Sequence, residues 1–236
     1  MRAALSLLLA LSASAASAQT YFQGAGAVST PTAETMRQGV CAFGLTGRYD
    51  SAASFEREEA GVAFEAAAFP WMQIGAVWDE GEELHWTGRL RLIQESGAVP
   101  AVAVGAAFIG AEHEPAEAHA VLTKELNLPS AGFFQCSVGV RHRLSAEEGQ
   151  DRTRPFGSFE KKWFAFNSDL RALAEWEGDE FLIGMERRYE EGLRIGAAYQ
   201  FSGKAVVFSL RYSSDKAVQG VQDAKDLAKR AAKIRD

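Results

Sequence analysis

The chain has 236 residues, of which 47% are hydrophobic, with 25 basic and 31 acidic side chains giving a formal net charge of −6. That acidic balance argues against a nucleic-acid partner, which would call for a basic surface. Two cysteines, Cys41 and Cys136, suggest neither a disulfide framework nor a cysteine metal site.

The first eighteen residues, MRAALSLLLALSASAASA, carry one early cation, an apolar centre from Ala3 to Leu11, and a small-residue end at Ala16-Ser17-Ala18. This is the pattern of a secretory signal cleaved before Gln19. The apolar centre is too short to cross a bilayer as a helix. No lipid-anchor cysteine follows it. Residues 19–36 then read as an N-terminal periplasmic segment.

Beyond that point short alternating runs recur about every dozen residues, which is an all-β signature. The runs predict strands near 37–49, 60–69, 71–78, 83–93, 99–109, 118–126, 132–143, 156–164, 168–177, 180–189, 193–201 and 204–212. In the seventh, Phe134, Cys136, Val138 and Val140 share one face, while Gln135, Ser137, Gly139 and Arg141 share the other. In the ninth, Leu170, Ala172, Ala174 and Trp176 oppose Asp169, Arg171, Leu173 and Glu175.

Alternation alone does not say which face meets solvent. A soluble sandwich or barrel turns the apolar face inward; a membrane barrel turns it toward lipid and keeps charge in the lumen. Three features favour the second. Long connections after strands one, five and seven fall on one side of the sheet, and those after strands two, four, eight and ten read as tight. Aromatics such as Tyr49, Trp78, Trp176, Tyr189, Tyr199, Phe201 and Tyr212 sit near strand ends on apolar faces, the height of a membrane–water boundary. The opposite faces are rich in Gly, Ala and charge. The prediction is an all-β, antiparallel up-and-down transmembrane barrel of about twelve strands over 37–213. Residues 214–236 have Val218, Val221, Leu227, Ala231 and Ile234 at roughly helical spacing, and predict a short C-terminal periplasmic helix or tail.

Turn chemistry fixes registers. A Ser202-Gly203 loop pairs Arg194 with Arg211. A three-residue turn at 190–192 pairs Arg188 with Arg194. A two-residue turn at Gly178-Asp179 pairs Asp169 with Arg188 and Arg171 with Glu186. One inward row therefore reads Asp169, Arg188, Arg194, Arg211, and the next reads Arg171, Glu186, Gly196, Ser209. Like charges facing each other destabilise a sheet, so three adjacent arginines need carboxylates or a bound anion. One reading is an internal salt-bridge network with Glu160, Glu175 and Glu186. The sharper one is a site for an anionic ligand, a uronate-bearing glycan or lipid phosphate, since planar guanidinium groups match carboxylate and phosphate.

No metal spacing links His85, His113, His119 and His142, and no phosphate-binding glycine loop or nucleophile elbow is present. No cofactor is expected. His142 and Ser145 are three apart at a strand end, but His142 has apolar-face parity, which disfavours a lipid-modifying hydrolase.

GAGAVSTPTAETMRQG (24–39), VPAVAVGAAFIG (99–110) followed by AHAVLTKEL (118–126), and FGSFE (156–160) followed by DLRALAEWEGDEF (169–181) occur in this order. Together they resemble YjbH-type proteins, β-barrels linked to exopolysaccharide biogenesis. Typical members are longer and often carry a lipid anchor, which this chain lacks. The resemblance implies an outer-membrane location and a polysaccharide role, and it supplies no catalytic residues. The expectation is a non-enzymatic outer-membrane barrel acting in exopolysaccharide assembly or secretion, or in envelope organisation. Its expected partners are outer-membrane lipid, anionic polysaccharide and periplasmic secretion proteins. The alternatives are a small pore or passive transporter and a soluble secreted ligand-binding barrel.

Overall fold

The structure is a computed structural model, and it describes residues 31–50, 58–79, 84–109, 116–128, 132–144, 152–165, 168–178, 180–189, 192–202 and 204–214. Twelve strands follow in chain order: β1 (Cys41–Asp50), β2 (Glu58–Phe69), β3 (Met72–Asp79), β4 (Leu84–Ile93), β5 (Ala101–Ile109), β6 (Glu117–Leu128), β7 (Gly132–Arg143), β8 (Thr153–Ala165), β9 (Ser168–Glu177), β10 (Glu180–Arg188), β11 (Leu193–Gln200) and β12 (Ala205–Ser213). Each pairs antiparallel with its neighbours in sequence, and β1 closes the ring on β12. The fold is the closed, all-β barrel that the alternation predicted. The signal expected at 1–18 lies outside the described residues, as does the helix or tail expected at 214–236 apart from Ser214.

An even strand number returns both ends of the barrel to one rim, where the Ser214 amide bonds the Cys41 carbonyl at 2.8 Å. This is the terminal rim, and the opposite one is the loop rim. The connections at 51–57, 110–116 and 144–152 fall on the loop rim, as the sequence indicated. One on the terminal rim was expected to be tight and is not. Residues 94–100, after β4, form an arm with a small bridge between Ser96 and Val99. Lys124 Nζ on β6 holds it through Glu95 Oε1 and the Gly97 carbonyl, each at 2.5 Å.

Strand starts fall within four residues of the prediction, and three of the shifts have a clear local reason. β1 begins at Cys41 rather than residue 37, because a turn bonds the Val40 amide to the Arg37 carbonyl with Gly39 at φ +78°. β5 begins after Pro100, which has no amide proton to give to a ladder. β8 reaches back past Pro155, whose carbonyl takes the Gly178 amide at 3.1 Å.

The two faces of every strand part company at the barrel wall. Val138 is 58% exposed on the outside, whereas the next residue inward, Ser137, is 1% exposed. Phe43, Phe64, Trp78, Trp86, Leu92, Trp176, Met185, Phe208 and Tyr212 are likewise outside and exposed. Aromatics cluster toward the rims. Phe69 stacks on Trp71 at the terminal rim, with centroids 5.1 Å apart, and Phe201 meets both Phe181 and Tyr199 at the loop rim. Cys41 and Cys136 are both free, on strands six places apart around the ring.

With a strand spacing of about 4.8 Å and a tilt of about 40°, twelve strands enclose a backbone cylinder of roughly 12 Å radius. Long side chains from the wall fill much of that width. Residues 31–36, expected within a periplasmic segment, turn into the barrel instead. Thr32 and Ala33 are fully buried there.

Candidate functional site

The three hairpin registers of the arginine row are those that the turns dictated. Asp169 pairs with Arg188, Arg188 with Arg194, and Arg194 with Arg211. In the next row Arg171 pairs with Glu186, Glu186 with Gly196, and Gly196 with Ser209. Both rows face the lumen in its terminal half.

Pairing residues places like charges side by side, and the side chains resolve this by reaching across rows. Glu186, 6% exposed, sits among Arg171, Arg188, Arg194 and Arg211 and interacts electrostatically with all four. Its Oε1 lies 3.6 Å from Arg194 Nη1 and 4.0 Å from Arg171 Nε. Arg171 Nη1 also meets Glu160 Oε2 at 3.0 Å, and Glu160 is fully buried. Asp169 acts on Arg171, Arg188 and Arg194 from the terminal rim. Gly196 keeps this convergence open, because a Cβ there would lie 2.6 Å from Ser209 Oγ.

In this half of the β8–β12 wall five cations, Lys162, Arg171, Arg188, Arg194 and Arg211, face three carboxylates, Glu160, Asp169 and Glu186. Lys162 turns away to the Gln135 side-chain oxygen, at 2.7 Å. The surplus is positive, and the groups are planar forks held in register. Such a surface suits a carboxylate or phosphate more than a point cation.

Toward the loop rim lies an apolar zone of Leu173, Leu182, Ala198 and Val207. Beyond it comes a second charged network that the sequence reading did not assemble. Arg141 Nη1 meets Glu177 Oε1 at 2.9 Å, and Arg143 Nε meets Glu117 Oε1 at 3.1 Å. Glu117 and Arg143 are direct partners in the β6–β7 hairpin, whereas Arg141 and Glu177 lie two strands apart across β8, so no single turn gives that second pair.

The opposite wall differs. Ala101, Ala103 and Gly105 on β5 are small inward residues, and Ala33 packs with Ala101, Ala103, Val121 and Phe156 in one buried cluster. Phe156 lies over its cross-strand partner Gly139, where a Cβ would come within 2.4 Å of its ring, and reaches Val121 and Ala33 beyond. A small polar cavity nearby is lined by Glu65, Gln73, Thr87, Gly88, Arg89, Ala106 and His119.

The remaining sequence candidates fall elsewhere. His142 lies outside the barrel, with Nδ1 2.8 Å from Thr153 Oγ1, and Ser145 is outside the described residues. His119 faces the lumen, and His113 is outside the described residues. Among the described residues no three His, Cys, Asp or Glu side chains gather as a metal site.

No family model matches the chain, and no curated protein matches it. Solved structures with a similar trace include the translocator domain of the autotransporter NalP from Neisseria meningitidis. It has 11% identity and a TM-score of 0.41, over 75% of this chain and 87% of that one. Another is the β domain of the Bordetella autotransporter BrkA, with 14% identity and a TM-score of 0.32, over 74% of this chain and 98% of that one. The barrel itself rests on the strand pairing rather than on these distant likenesses.

Proposed function

We propose that the chain is an outer-membrane β-barrel of a Gram-negative bacterium, with its terminal rim in the periplasm and its loop rim outside. The observation that carries this is the reversal of ordinary burial: charge and hydrogen-bonding groups are inside, and large apolar side chains cover the exterior. Soluble monomers rarely expose apolar patches beyond a few hundred Å². A bilayer favours an apolar band about 25 Å tall, flanked by aromatic girdles. Strands of 8 to 13 residues bracket the roughly 9–11 that a tilted span needs. Lipid is then the first partner, contacting the whole outer face.

The role we propose is non-catalytic, in exopolysaccharide assembly or secretion or in envelope organisation. Two things support it: the YjbH-like stretches, and an arginine cluster at the periplasmic mouth that fits an anionic polysaccharide or the acidic surface of a periplasmic secretion partner. A freely conducting pore fits less well, because Phe156 and the residues around Ala33 fill the lumen.

The test is made on protein recovered from the outer-membrane fraction in a heat-modifiable form. Calorimetry should detect binding of oligogalacturonate, and the double variant Arg194→Gln/Arg211→Gln should weaken it roughly 10- to 100-fold, the loss expected from two charge-assisted contacts. Equal binding by both proteins, or none by either, would remove the anionic ligand. Recovery in the soluble fraction would remove the membrane.

A further inference from the structure

Residues 31–36 carry no strand pairing, yet they are the most enclosed irregular stretch among the described residues. What holds them is unusual for a lumen. Wall side chains bind their main chain. The Ala33 amide donates to Thr123 Oγ1 at 2.7 Å, and Thr123 Oγ1 is 2.9 Å from Ser137 Oγ. Arg89 Nη1 donates to the Glu34 carbonyl at 2.9 Å. The Met36 amide donates to Gln73 Oε1 at 3.3 Å, and Thr35 Oγ1 donates to the Pro70 carbonyl at 2.7 Å. The segment thus runs inward from the terminal mouth along the β3–β6 wall, held by side-chain bonds.

Its one acidic side chain points the same way. The Glu34 main-chain carbonyl takes Arg89 Nη1, and the Glu34 charge acts on Arg89 of β4 and on Arg171 of β9. It brings a carboxylate to a cluster where cations exceed carboxylates. Gly39, at φ +78°, makes the reversal that sends the chain inward before β1. A Cβ there would meet nothing within 4 Å, so it is the backbone turn rather than packing that calls for glycine.

We propose that residues 31–36 are a releasable plug of the periplasmic mouth, and that a carboxylate-bearing chain releases it by taking the place of Glu34 at Arg89 and Arg171. The release step rests on the anionic-ligand reading above; the plug itself does not. The plug belongs to no hydrogen-bonded ladder, whereas each strand is tied by a ladder on both sides, so the plug is the part that can leave without opening the barrel. A ligand acts only through its preference for one state, and competition for the same guanidinium groups supplies that preference.

A thiol reporter reads the plug directly. Ser137→Cys, in a full-length chain with Cys41 and Cys136 replaced by serine, puts a near-isosteric thiol behind residue 33. Its labelling by a charged maleimide is followed in proteoliposomes, with heat-modifiable mobility confirming that each variant is folded. Labelling should be slow in the parent and about tenfold faster with Glu34→Gln, the effect of losing one charged contact worth about 1.4 kcal/mol. Deletion of 31–36 should speed it further, and oligogalacturonate should speed the parent but not the deletion variant. Equal rates in parent and deletion variant would overturn the plug. Oligogalacturonate that binds without changing the parent's rate would overturn the release step and leave anion binding standing. If oligogalacturonate binds neither protein while Glu34→Gln still speeds labelling, the ligand reading and the release step fall together and the plug remains.

Discussion

The two walls of the lumen are filled by different means. The β8–β12 wall fills itself, with Lys162, Arg171, Arg188, Arg194 and Arg211 interleaved with Glu160, Asp169 and Glu186. The β2–β6 wall carries Glu65, Gln73, His85, Arg89 and His119, but between them lie small residues, Ala63, Ala67, Gly75, Ala101, Ala103 and Gly105, and a separate stretch of chain packs on Ala101 and Ala103. A barrel of this diameter must do one or the other or else hold water. The first solution is fixed by register, since every charge has a set neighbour. The second is fixed by contact, through side-chain hydrogen bonds and small apolar surfaces rather than a strand ladder. The rigid wall is therefore where a ligand can be read, and the other wall is where the mouth can open.

Removing one central carboxylate should break this contrast most sharply. Glu186→Ala leaves four neighbouring guanidinium groups without the acid they share, and a buried charge cluster robbed of a partner loses about 3–5 kcal/mol. Urea unfolding in detergent or liposomes would measure it. A loss below about 1 kcal/mol would mean that the arginines are well hydrated and the wall is not filled by its own charges.

A smaller effect is expected on the other side. Ala103→Leu adds bulk where Ala103 and Ala33 share a cluster, at a cost of about 1–3 kcal/mol from overpacking. Part of that strain should be relieved by displacement of residues 31–36, so labelling of the Ser137→Cys reporter should quicken. Glu186→Ala should leave that labelling rate nearly unchanged. If both substitutions alter stability and labelling alike, the two walls are one unit and the distinction fails.

The same contrast explains what was legible in the sequence. Strand pairing and the arginine row could be read because turn residues set local sums: Ser202-Gly203, Gly178-Asp179 and the stretch ending at Gly192 fix three registers in succession. The inside-out arrangement was legible from period-two alternation together with aromatics at strand ends. Contacts across the lumen were not legible. Arg141 with Glu177 spans β7 to β9 across the long 144–152 connection, whose register no turn chemistry sets, and Glu34 acts on Arg171 from a segment that belongs to no strand. The path of residues 31–36 was missed for a related reason, since PTAETM has no periodicity to assign to a wall. Its only trace was indirect, in the small inward residues Ala101, Ala103 and Gly105, which leave a gap that something must fill. Local exceptions followed the same logic. Phe108 departs from the alternation of β5 with φ +56° and turns inward against His85, with ring centroids 4.9 Å apart.

The central claim is that the barrel is inside out with respect to water, and one substitution tests it most directly. Val138 is half-way along β7, 58% exposed, and beside Ser137, which is buried in the lumen. Val138→Lys should destabilise the liposome-inserted protein by about 2–4 kcal/mol, the cost of a lysine near the bilayer midplane. Measured as the shift in urea midpoint, that loss is the predicted result. An unchanged midpoint would mean that position 138 meets water, and would contradict the account.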